Sequence, residues 1–323
     1  MKHRLLSFLA CPDCRLDLEL SVGREEKGEI EDGTLSCRCC GARFPIVRGI
    51  PRFVDMDAYV DTFSFEWNRF HDVQIDRSEA TGESEKTCAA QTGWAPGDLR
   101  GKLVLDAGVG AGRYAEVVSR WGAEVVGVDL SFAVDAARGN IGARDNVHLV
   151  QADLFRLPFR DASFDAAYSL GVLHHTPDTR RAFGAVVPFL RHGGELAVFI
   201  YALGHYHVFS DVWRKVTTRM PVRLLYGLTA LAIPFYYVYR IPVVGLGLRL
   251  LFPMSQHPRA RWRWLDTFDW YSPKYQHKHT WPEVHRWFVE QGFEDIRLFQ
   301  QSPEFSLLHV CMRGRKRPGR ESA

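Results

Sequence analysis

The sequence lacks a strong net charge and a long apolar segment, and we expect it to have no leader segment; each of these features argues against a class of protein. Its 41 lysines and arginines against 38 acidic residues give a net charge of +3, too small to indicate nucleic-acid binding by itself. The apolar run from Leu224 to Tyr239 is shorter than the ~20 residues a transmembrane helix needs, and Pro234 interrupts it. The apolar stretch from Leu5 to Ala10 is shorter than the roughly 7–15 residues of a signal peptide core. We therefore expect a cytoplasmic protein.

Cysteine is present in small number but in an informative pattern. Of the 7 cysteines, Cys11 and Cys14 form one C-x-x-C turn, and Cys37 and Cys40 form another. Four thiolates in two such turns are typical of a tetrahedral Zn²⁺ site, which with all positions filled by protein is structural rather than catalytic. The alternatives are a redox C-x-x-C or free thiols, but no thioredoxin-like βαβ pattern precedes these residues. Cys39 would give poorer spacing than Cys37.

A strand, a glycine-rich turn and a helix follow one another in the segment from Lys102 to Arg120. The aliphatic run Leu103–Leu105 predicts a buried strand and leads into Asp106, after which glycine stands at every second position, at Gly108, Gly110 and Gly112. This geometry allows the backbone to approach a nucleotide at a helix N-terminus. A dinucleotide-binding G-x-G-x-x-G would need glycine in place of Arg113. The pattern D-x-G-x-G-x-G instead suits a nucleotide with a cationic amino-acid end and no pyrophosphate.

With these residues the chain resembles the class I S-adenosylmethionine-dependent methyltransferases, and the resemblance continues downstream. The strand Glu124–Asp129 ends in an acid about twenty residues past Gly108, where such folds bind ribose hydroxyls. Val147–Asp153 predicts the next strand, and its terminal acid contacts adenine in the family. Two more strands are predicted at Ser163–Leu170 and Leu190–Ile200. The resemblance implies S-adenosylmethionine as cofactor, bound by Asp106, Gly108, Gly110, Gly112, Asp129, Leu130, Asp153 and Leu154.

Each of the three acids also has a simpler interpretation. Asp129 and Asp153 are followed by residues that allow helix capping or a plain turn. For Asp106 we expect little direct contact with the cofactor. Its expected role is to hold the glycine turn and to favour the sulfonium or amino group electrostatically.

Two histidines follow the predicted fourth strand, at His174 and His175. Ligands of open α/β sheets lie beyond the carboxyl ends of the strands, so we expect this pair to face the transferred methyl group and treat both as candidate catalytic residues. Either ring is a candidate general base. The alternatives are a histidine that only hydrogen-bonds the loop backbone, and a methyl transfer driven by proximity alone.

The segment from Ala202 to Trp264 is an insertion rich in apolar and basic residues. Between Val208 and Leu265 the sequence has one acid, Asp211, and nine basic residues: Arg214, Lys215, Arg219, Arg223, Arg240, Arg249, Arg259, Arg261 and Arg263. Basic residues that flank apolar, tyrosine-rich helices favour a membrane interface or an anionic amphiphile. The alternative is a helical lid that packs on the core, with its arginines in solvent or against a partner subunit.

Two further segments are candidates for the site. The aromatic segment Asp61–Phe70 resembles the entry segment of related bacterial methyltransferases, with Trp67 or Arg69 expected near the methionine end of the cofactor. A polar loop after the insertion either lines the acceptor pocket or packs as a turn, through Tyr271, Tyr275, His277 and His279. We expect the basic tail Arg313–Arg320 to be disordered.

The N-terminal segment, including Gly41–Phe53, resembles the zinc ribbon of the small activator subunit that partners tRNA and protein methyltransferases. A ribbon of this kind makes RNA base methylation, with the ribbon recognising RNA, the alternative function. Against it, the ribbon is crowded with acids, namely Glu19, Glu25, Glu26, Glu29, Glu31 and Asp32, which repel phosphate. The chain also lacks an N-P-P-[YF] motif after the fourth strand, where Ser169-Leu-Gly-Val stands instead. We therefore expect no nucleic-acid partner.

Together these features predict an α/β protein with a Rossmann-like, doubly wound seven-stranded sheet, an N-terminal zinc ribbon and a helical, apolar insertion. The predicted divisions are a zinc ribbon (1–54), a linker with cofactor-covering helices (55–101), a methyltransferase core (102–201 and 265–313), a helical lid (202–264) and a basic tail (314–323). The expected function is S-adenosylmethionine-dependent methylation of a small-molecule or lipid-linked hydrophobic acceptor. The enzyme would be cytoplasmic, with or without peripheral contact to the inner membrane through residues 208–264.

Overall fold

A computed structural model describes residues 1–54, 65–66, 69–76, 82–204, 208–299 and 309–319. Residues 1–54 form a small antiparallel sheet in the order β1–β2–β3–β4. Its strands are β1 (Leu18–Glu26), β2 (Glu29–Cys37), β3 (Arg43–Val47) and β4 (Ile50–Pro51). The apolar residues Ile30, Leu35 and Ile46 are almost fully buried and join the same hydrophobic core as the main sheet.

The main sheet has seven strands in the order β10–β11–β9–β8–β5–β6–β7. The strands are β5 (Leu103–Ala107), β6 (Glu124–Asp129), β7 (Val147–Gln151), β8 (Phe164–Leu170), β9 (Leu190–Tyr201), β10 (Phe293–Phe299) and β11 (His309–Lys316). Strands β5 to β9 are mutually parallel, whereas β11 runs antiparallel to both β9 and β10. Strand β5 is buried along its whole length, as expected of a central parallel strand. The predicted seven-stranded α/β fold is confirmed.

Helices connect and cover these strands. They are α1 (Glu83–Thr92), α2 (Arg113–Arg120), α3 (Ala133–Ile141), α4 (Thr179–Val186) and, after β9 and the lid, α10 (Trp281–Glu290). Helix α10 begins with a capping box, in which Glu283 accepts a hydrogen bond from the Thr280 N–H, and Pro282 stands in the first turn.

The ribbon is attached to the main sheet by backbone pairing. Arg52 forms a parallel bridge with Gln151 at the end of β7, and Phe53 N–H donates to the Gln151 carbonyl at 2.8 Å. The buried Arg52 guanidinium makes two hydrogen bonds to the Asp135 carboxylate on α3, at 2.9 and 3.2 Å. The ribbon therefore covers an edge strand whose backbone would otherwise be exposed.

The insertion consists of short helices: α5 (Val208–Thr217), α6 (Val222–Thr229), α7 (Ala232–Val238), α8 (Pro242–Leu251) and α9 (Ala260–Tyr271). Proline lies in the first turn of α7 and of α8, where its missing N–H costs no helical hydrogen bond. None of the helices in the described part of the chain is long and apolar enough to cross a membrane. The predicted boundary between residues 264 and 265 falls inside α9, so the lid and the C-terminal segment share one helix.

Two expectations about charged residues are wrong. Residues 313–316 of the expected disordered tail belong to β11, where Arg315 lies opposite Glu195 of β9. Arg214 and Arg263 are not surface charges of the lid. Both are almost fully buried and donate to backbone carbonyls, Arg214 to Trp270 and Pro273 and Arg263 to Ala232 and His257. A buried guanidinium satisfies several carbonyls that a turn between short helices leaves unpaired.

Candidate active site

A cavity of about 390 Å³ lies at the carboxyl ends of β5, β6 and β8, beneath helix α9. Such clefts in open α/β sheets are where ligands bind, and the volume is within the range of small-molecule sites. One side of the cavity is formed by the loops after the strands, and the other by the lid and by Glu66 and Gln74.

The glycine turn after β5 lies at the wall of the cavity. Gly108 and Gly110 line it, both with positive φ, at 104° and 51°. A Cβ on Gly108 would come within 2.5 Å of the Val172 side chain, so the close approach requires glycine. Gly112 does not line the cavity; a Cβ there would meet Ile141 of α3 at 2.7 Å, which assigns it to helix packing.

Asp129 at the end of β6 is held by the loop that follows it and by the glycine turn. Its carboxylate accepts hydrogen bonds from Gly110 N–H at 2.9 Å, from Ser131 N–H at 2.9 Å and from Ser131 Oγ at 2.7 Å. Burial raises the pKa of this carboxyl, although these hydrogen bonds oppose the effect. The residue lines the cavity together with Leu130, so both lie where the sequence places cofactor ligands.

Asp153 and Leu154 also line the cavity, but they follow β7 rather than end it. Asp153 caps a short 3-10 helix, Leu154–Arg156, by accepting from Phe155 N–H at 2.9 Å. Asp153 therefore caps this helix and also lies at the cavity wall.

Asp106 differs from the other two acids. It is 3% exposed, is absent from the cavity wall, and accepts a hydrogen bond from the Tyr168 hydroxyl at 2.8 Å. Burial raises its pKa to about 8, so the carboxyl is largely neutral at pH 7. The turn is held instead by the Val128 carbonyl, which accepts from the N–H groups of Gly108 and Val109. Asp106 therefore joins β5 to β8, and neither expected role, holding the turn or attracting a cation by charge, is apparent here.

The two histidines have different positions. His174 is fully buried, is not among the residues that line the cavity, and stacks on Tyr201 with ring centroids 4.0 Å apart. His175 lines the cavity, and its Nδ1 lies 2.8 Å from the Tyr275 carbonyl. Because a carbonyl only accepts, Nδ1 carries the proton and Nε2 is the basic nitrogen. Burial lowers the pKa of His175 to about 4, so the ring is neutral.

The polar loop after the lid does not line the cavity. Tyr271, Tyr275, His277 and His279 are absent from its wall, and the Tyr271 hydroxyl donates to the Pro253 carbonyl at 2.7 Å. The packing interpretation of this loop is the one the structure shows. Arg69 lies over the Tyr226 ring rather than at the cavity, and Trp67 is outside the described residues.

The lid side of the site carries no motif that marks it in the sequence. Helix α9 contributes Trp262, Leu265, Asp266, Asp269 and Trp270 to the cavity wall, and α1 contributes Thr87 and Gln91. One signal was present: Asp266 and Asp269 stand one helical turn apart, immediately after a segment with nine basic residues and one acid.

The four cysteines come together as predicted. The sulfur atoms of Cys11, Cys14, Cys37 and Cys40 all lie within 4.8 Å of one another, with Cys14 and Cys37 3.2 Å apart and Cys11 and Cys40 3.6 Å apart. Four thiolates bonded to one ion at about 2.3 Å have separations of this order. The cluster fits a structural zinc ion, and Cys39 is not part of it.

Two family models match this chain. The model described as "Methyltransferase domain" matches residues 105–198. The chain contains a methyltransferase domain. The model described as "Trm112p-like protein" matches residues 2–49, which include all four clustered cysteines. The methyltransferase domain is thus preceded by a Trm112p-like module with a metal-binding geometry.

Three relatives resemble the methyltransferase domain. An O-methyltransferase, cnsE, of Penicillium expansum is 36% identical over 31% of this chain and 38% of its own length. A demethylmenaquinone methyltransferase of Thermobifida fusca is 36% identical over 30% of this chain and 43% of its own length. A probable tRNA methyltransferase 9B of Homo sapiens is 34% identical over 32% of this chain and 22% of its own length. Each match spans well under two thirds of the relative, and the acceptors that the names indicate differ.

The matched part of the methyltransferase domain contains only one side of the cavity. Residues 105–198 include the glycine turn, the acids after β6 and β7, and His175. Tyr201 and helix α9 lie outside it. The cofactor side of the site therefore belongs to the shared domain, and the lid side lies beyond the region that the model matches.

Proposed function

We propose that this protein transfers a methyl group from S-adenosylmethionine to a small-molecule or lipid-linked hydrophobic acceptor. The observation that carries the proposal is a single cavity with the glycine turn, Asp129 and Asp153 on one side and an aromatic lid on the other. The methyltransferase domain and its relatives support the reaction class. The aromatic side chains of the lid support a hydrophobic acceptor.

The residues present fit the cofactor. Gly108 and Gly110 line the cavity and allow close approach of the backbone. In this proposal Asp129 accepts from the ribose hydroxyls, and Asp153 with Leu154 contacts the adenine. When bound, the cofactor supplies an electrophilic sulfonium methyl group. The protein's contribution is to hold the acceptor in line with that methyl and to exclude water beneath α9.

In this proposal His175, which lines the cavity, is the histidine that accepts a proton. Its Nε2 is the accepting nitrogen, because Nδ1–H donates to the Tyr275 carbonyl. His174 lies behind it, stacked on Tyr201, and is a positioning residue in this proposal. A depressed pKa makes His175 a weak base, so it would accept a proton only from an acceptor already acidified by methyl transfer.

We propose that the outer surface of the lid contacts an anionic lipid surface and admits a hydrophobic acceptor. Helices α6 to α8 expose a large set of apolar side chains: Leu224, Leu228, Leu231, Phe235, Tyr237, Ile241, Val243, Val244, Leu246, Leu250, Leu251 and Phe252, each at least 38% exposed. An apolar surface of this extent marks an interaction site. Arg219, Arg223, Arg240 and Arg249 are exposed around it, which favours anionic headgroups.

RNA methylation is the competing function, since one relative is named a probable tRNA methyltransferase and the N-terminal module is Trm112p-like. The ribbon does not favour it. Its strands β1 and β2 carry exposed or partly exposed acids, including Glu25, Glu26 and Asp32, which would repel a phosphate backbone.

The cofactor assignment is tested by isothermal titration of S-adenosylmethionine into the purified protein. We expect binding to the native chain and at least tenfold weaker binding to Asp129→Ala, equivalent to about 1.4 kcal/mol. Asp145→Ala, which removes an exposed acid before β7, is the matched control and should bind normally. Equal affinity in both variants would remove Asp129 from the site.

The acceptor class is tested by deleting the gene and comparing extracted lipids, small metabolites and digested RNA by mass spectrometry. We expect one hydrophobic compound to lose the mass of one methylene group. A loss of methylation confined to RNA nucleosides would contradict the proposal and favour the competing function.

A further inference from the structure

We propose that the acceptor carries an organic cation, such as a protonated amine, and that Glu66, Asp266 and Asp269 bind it at the lid side of the cavity. This inference rests on the proposed function and deepens it, because it names a charged group that the hydrophobic acceptor would present. The three carboxyls come from two separate segments of the chain and line one cavity.

Glu66 is the residue that indicates a cation-binding site. Its side chain is fully buried (0% exposed) and lies at the cavity wall. Neither carboxyl oxygen has a hydrogen-bond partner among the described residues. A buried carboxyl without partners is costly, and such groups are normally paired with a cation or a donor. A ligand cation in the cavity would supply the missing partner.

Asp266 and Asp269 place two more carboxyls beside Glu66. All three residues line the same cavity. Burial is the main cause that raises the pKa of Glu66, and the charges of Asp269 and Asp266 raise it further. Burial also raises the pKa of Asp266 to about 7 and that of Asp269 to about 6. A cation between them would stabilise all three ionised forms.

The arginines near these acids leave the carboxyls available. Arg113 and Arg214 act electrostatically on Asp266 and Asp269, respectively. Their hydrogen bonds go elsewhere: Arg113 Nε donates to Ser84 Oγ at 3.1 Å, and Arg214 donates to two backbone carbonyls. Asp266 accepts from Ser255 Oγ at 2.9 Å and Asp269 from Tyr201, so both are oriented by neutral donors.

Aromatic rings complete a site suited to an organic cation rather than a metal ion. Tyr201, Trp262 and Trp270 line the same cavity, and aromatic faces attract ammonium groups. Because Arg113 already lies over the Trp262 ring at 5.1 Å and His174 stacks on Tyr201, Trp270 is the ring that we assign to the ligand cation. In the described part of the chain, only the four cysteines bring three or more ligand atoms close enough for a metal ion. Among the described residues, the three carboxyls do not form such a group, whereas an alkylammonium group can contact an acid and a ring together.

The test uses full-length, zinc-loaded protein saturated with S-adenosylhomocysteine, which has no methyl to transfer. n-Octylamine and 1-octanol are titrated by calorimetry, since they share an apolar chain and differ in charge. We expect octylamine to bind at least tenfold more tightly than octanol. Glu66→Gln and Asp269→Asn should each weaken octylamine at least tenfold and leave octanol unchanged.

The controls separate this inference from the proposed function. Glu290→Gln removes an exposed acid on α10 that pairs with Arg180, and it should bind octylamine normally. Glu66→Gln should also raise Tm, because it removes an unpaired buried carboxyl, so a folded variant is expected. The octylamine titration is also carried out without S-adenosylhomocysteine. If the protein does not bind S-adenosylhomocysteine, the proposed function is wrong, and the titration without it still measures whether the carboxyls bind the amine.

Two results would overturn the inference. One is equal affinity for octylamine and octanol. The other is a loss of S-adenosylhomocysteine affinity in Glu66→Gln and Asp269→Asn with octylamine binding unchanged, which would assign the carboxyls to the cofactor's own ammonium group.

Discussion

At the scale of single residues, burial dominates the chemistry of this site. Asp106, Asp129, Asp266 and Asp269 all have a raised pKa, and in each case desolvation is the largest cause. Perturbed acids in one region are typical of functional sites, although structural networks also produce them. Asp106 is of the structural kind, because it lies outside the cavity wall and bonds to Tyr168.

The raised pKa of Asp106 predicts a pH dependence of stability. Its pKa is about 8 in the folded protein and near 3.8 when unfolded, so the folded state binds one more proton between those values. The contribution of this extra proton to the free energy of unfolding is fully present below pH 4. It decreases by roughly 1.4 kcal/mol per pH unit above that and is lost once the pH has risen through about 8. Asp106→Asn should therefore flatten the pH dependence of the free energy of unfolding between pH 5 and pH 8.

Urea unfolding of the variant and the native protein at both pH values measures this effect. Asp145→Asn, in an exposed loop, is the control and should leave the pH dependence unchanged. Parallel pH curves for Asp106→Asn and the native protein would show that Asp106 is already ionised when folded.

At the scale of elements, the lid has two faces with different tasks. Helix α9 packs inward, where Phe268 is fully buried against Leu225 and Tyr226 and where Asp266 and Asp269 reach the cavity. Helix α8 faces outward, with Val243 85% and Leu246 63% exposed. The inner face shapes the site, and the outer face is the part available to a lipid surface.

The outer face predicts binding to anionic vesicles. At low salt the protein should bind vesicles of phosphatidylglycerol and phosphatidylcholine, each flanking arginine contributing up to about 1 kcal/mol, and added salt should weaken binding. The double variant Val243→Asp, Leu246→Asp should lose vesicle binding in a sedimentation assay and keep its affinity for S-adenosylmethionine. Point substitutions are preferable to deleting the helices, because the Ala232 carbonyl accepts from the buried Arg263.

Val289→Asp, at a 46% exposed position on α10, is the matched control and should leave vesicle binding intact. If the native protein ignores vesicles at low salt, the outer face of the lid has another role and a soluble acceptor becomes the better interpretation.

At the scale of the whole molecule, the ribbon and the methyltransferase domain form a continuous structure. Lys2 donates to the carbonyls of Gly142 and Val147, Arg138 pairs with Glu29 and Glu31, and β4 leads into the bridge to β7. A small module with few core residues depends on its metal for stability. Loss of the metal from the cysteine cluster should therefore also destabilise the part of the main sheet that the ribbon contacts.

Replacing Cys14 by Ser tests that dependence. We expect the native protein to hold one zinc per chain and Cys14→Ser to lose it, with faster hydrogen exchange in both the ribbon and β7. Cys39→Ser, which alters an exposed cysteine outside the cluster, should keep its metal. Elemental analysis that finds zinc retained in Cys14→Ser would contradict the proposed set of ligands.

The sequence by itself determined the features that depend on local spacing. Two C-x-x-C turns predicted the cysteine cluster, and alternating glycines after an apolar run predicted the turn beside β5, because backbone geometry alone requires those residues. The apolar runs of the parallel strands were found within a few residues for the same reason: a strand buried on both sides needs a continuous apolar segment.

Only the tertiary structure decided which polar side chains share the cavity. Glu66 and Asp269 lie about 200 residues apart in the sequence, and neither belongs to a local pattern that marks a site. They share the cavity because α9 packs across the sheet. The same holds for Asp106, His174 and Arg214, whose residue types suggested roles in solvent or at the site. Burial gave them structural positions, and burial is a property of the packed chain, which the spacing of residues along it does not specify.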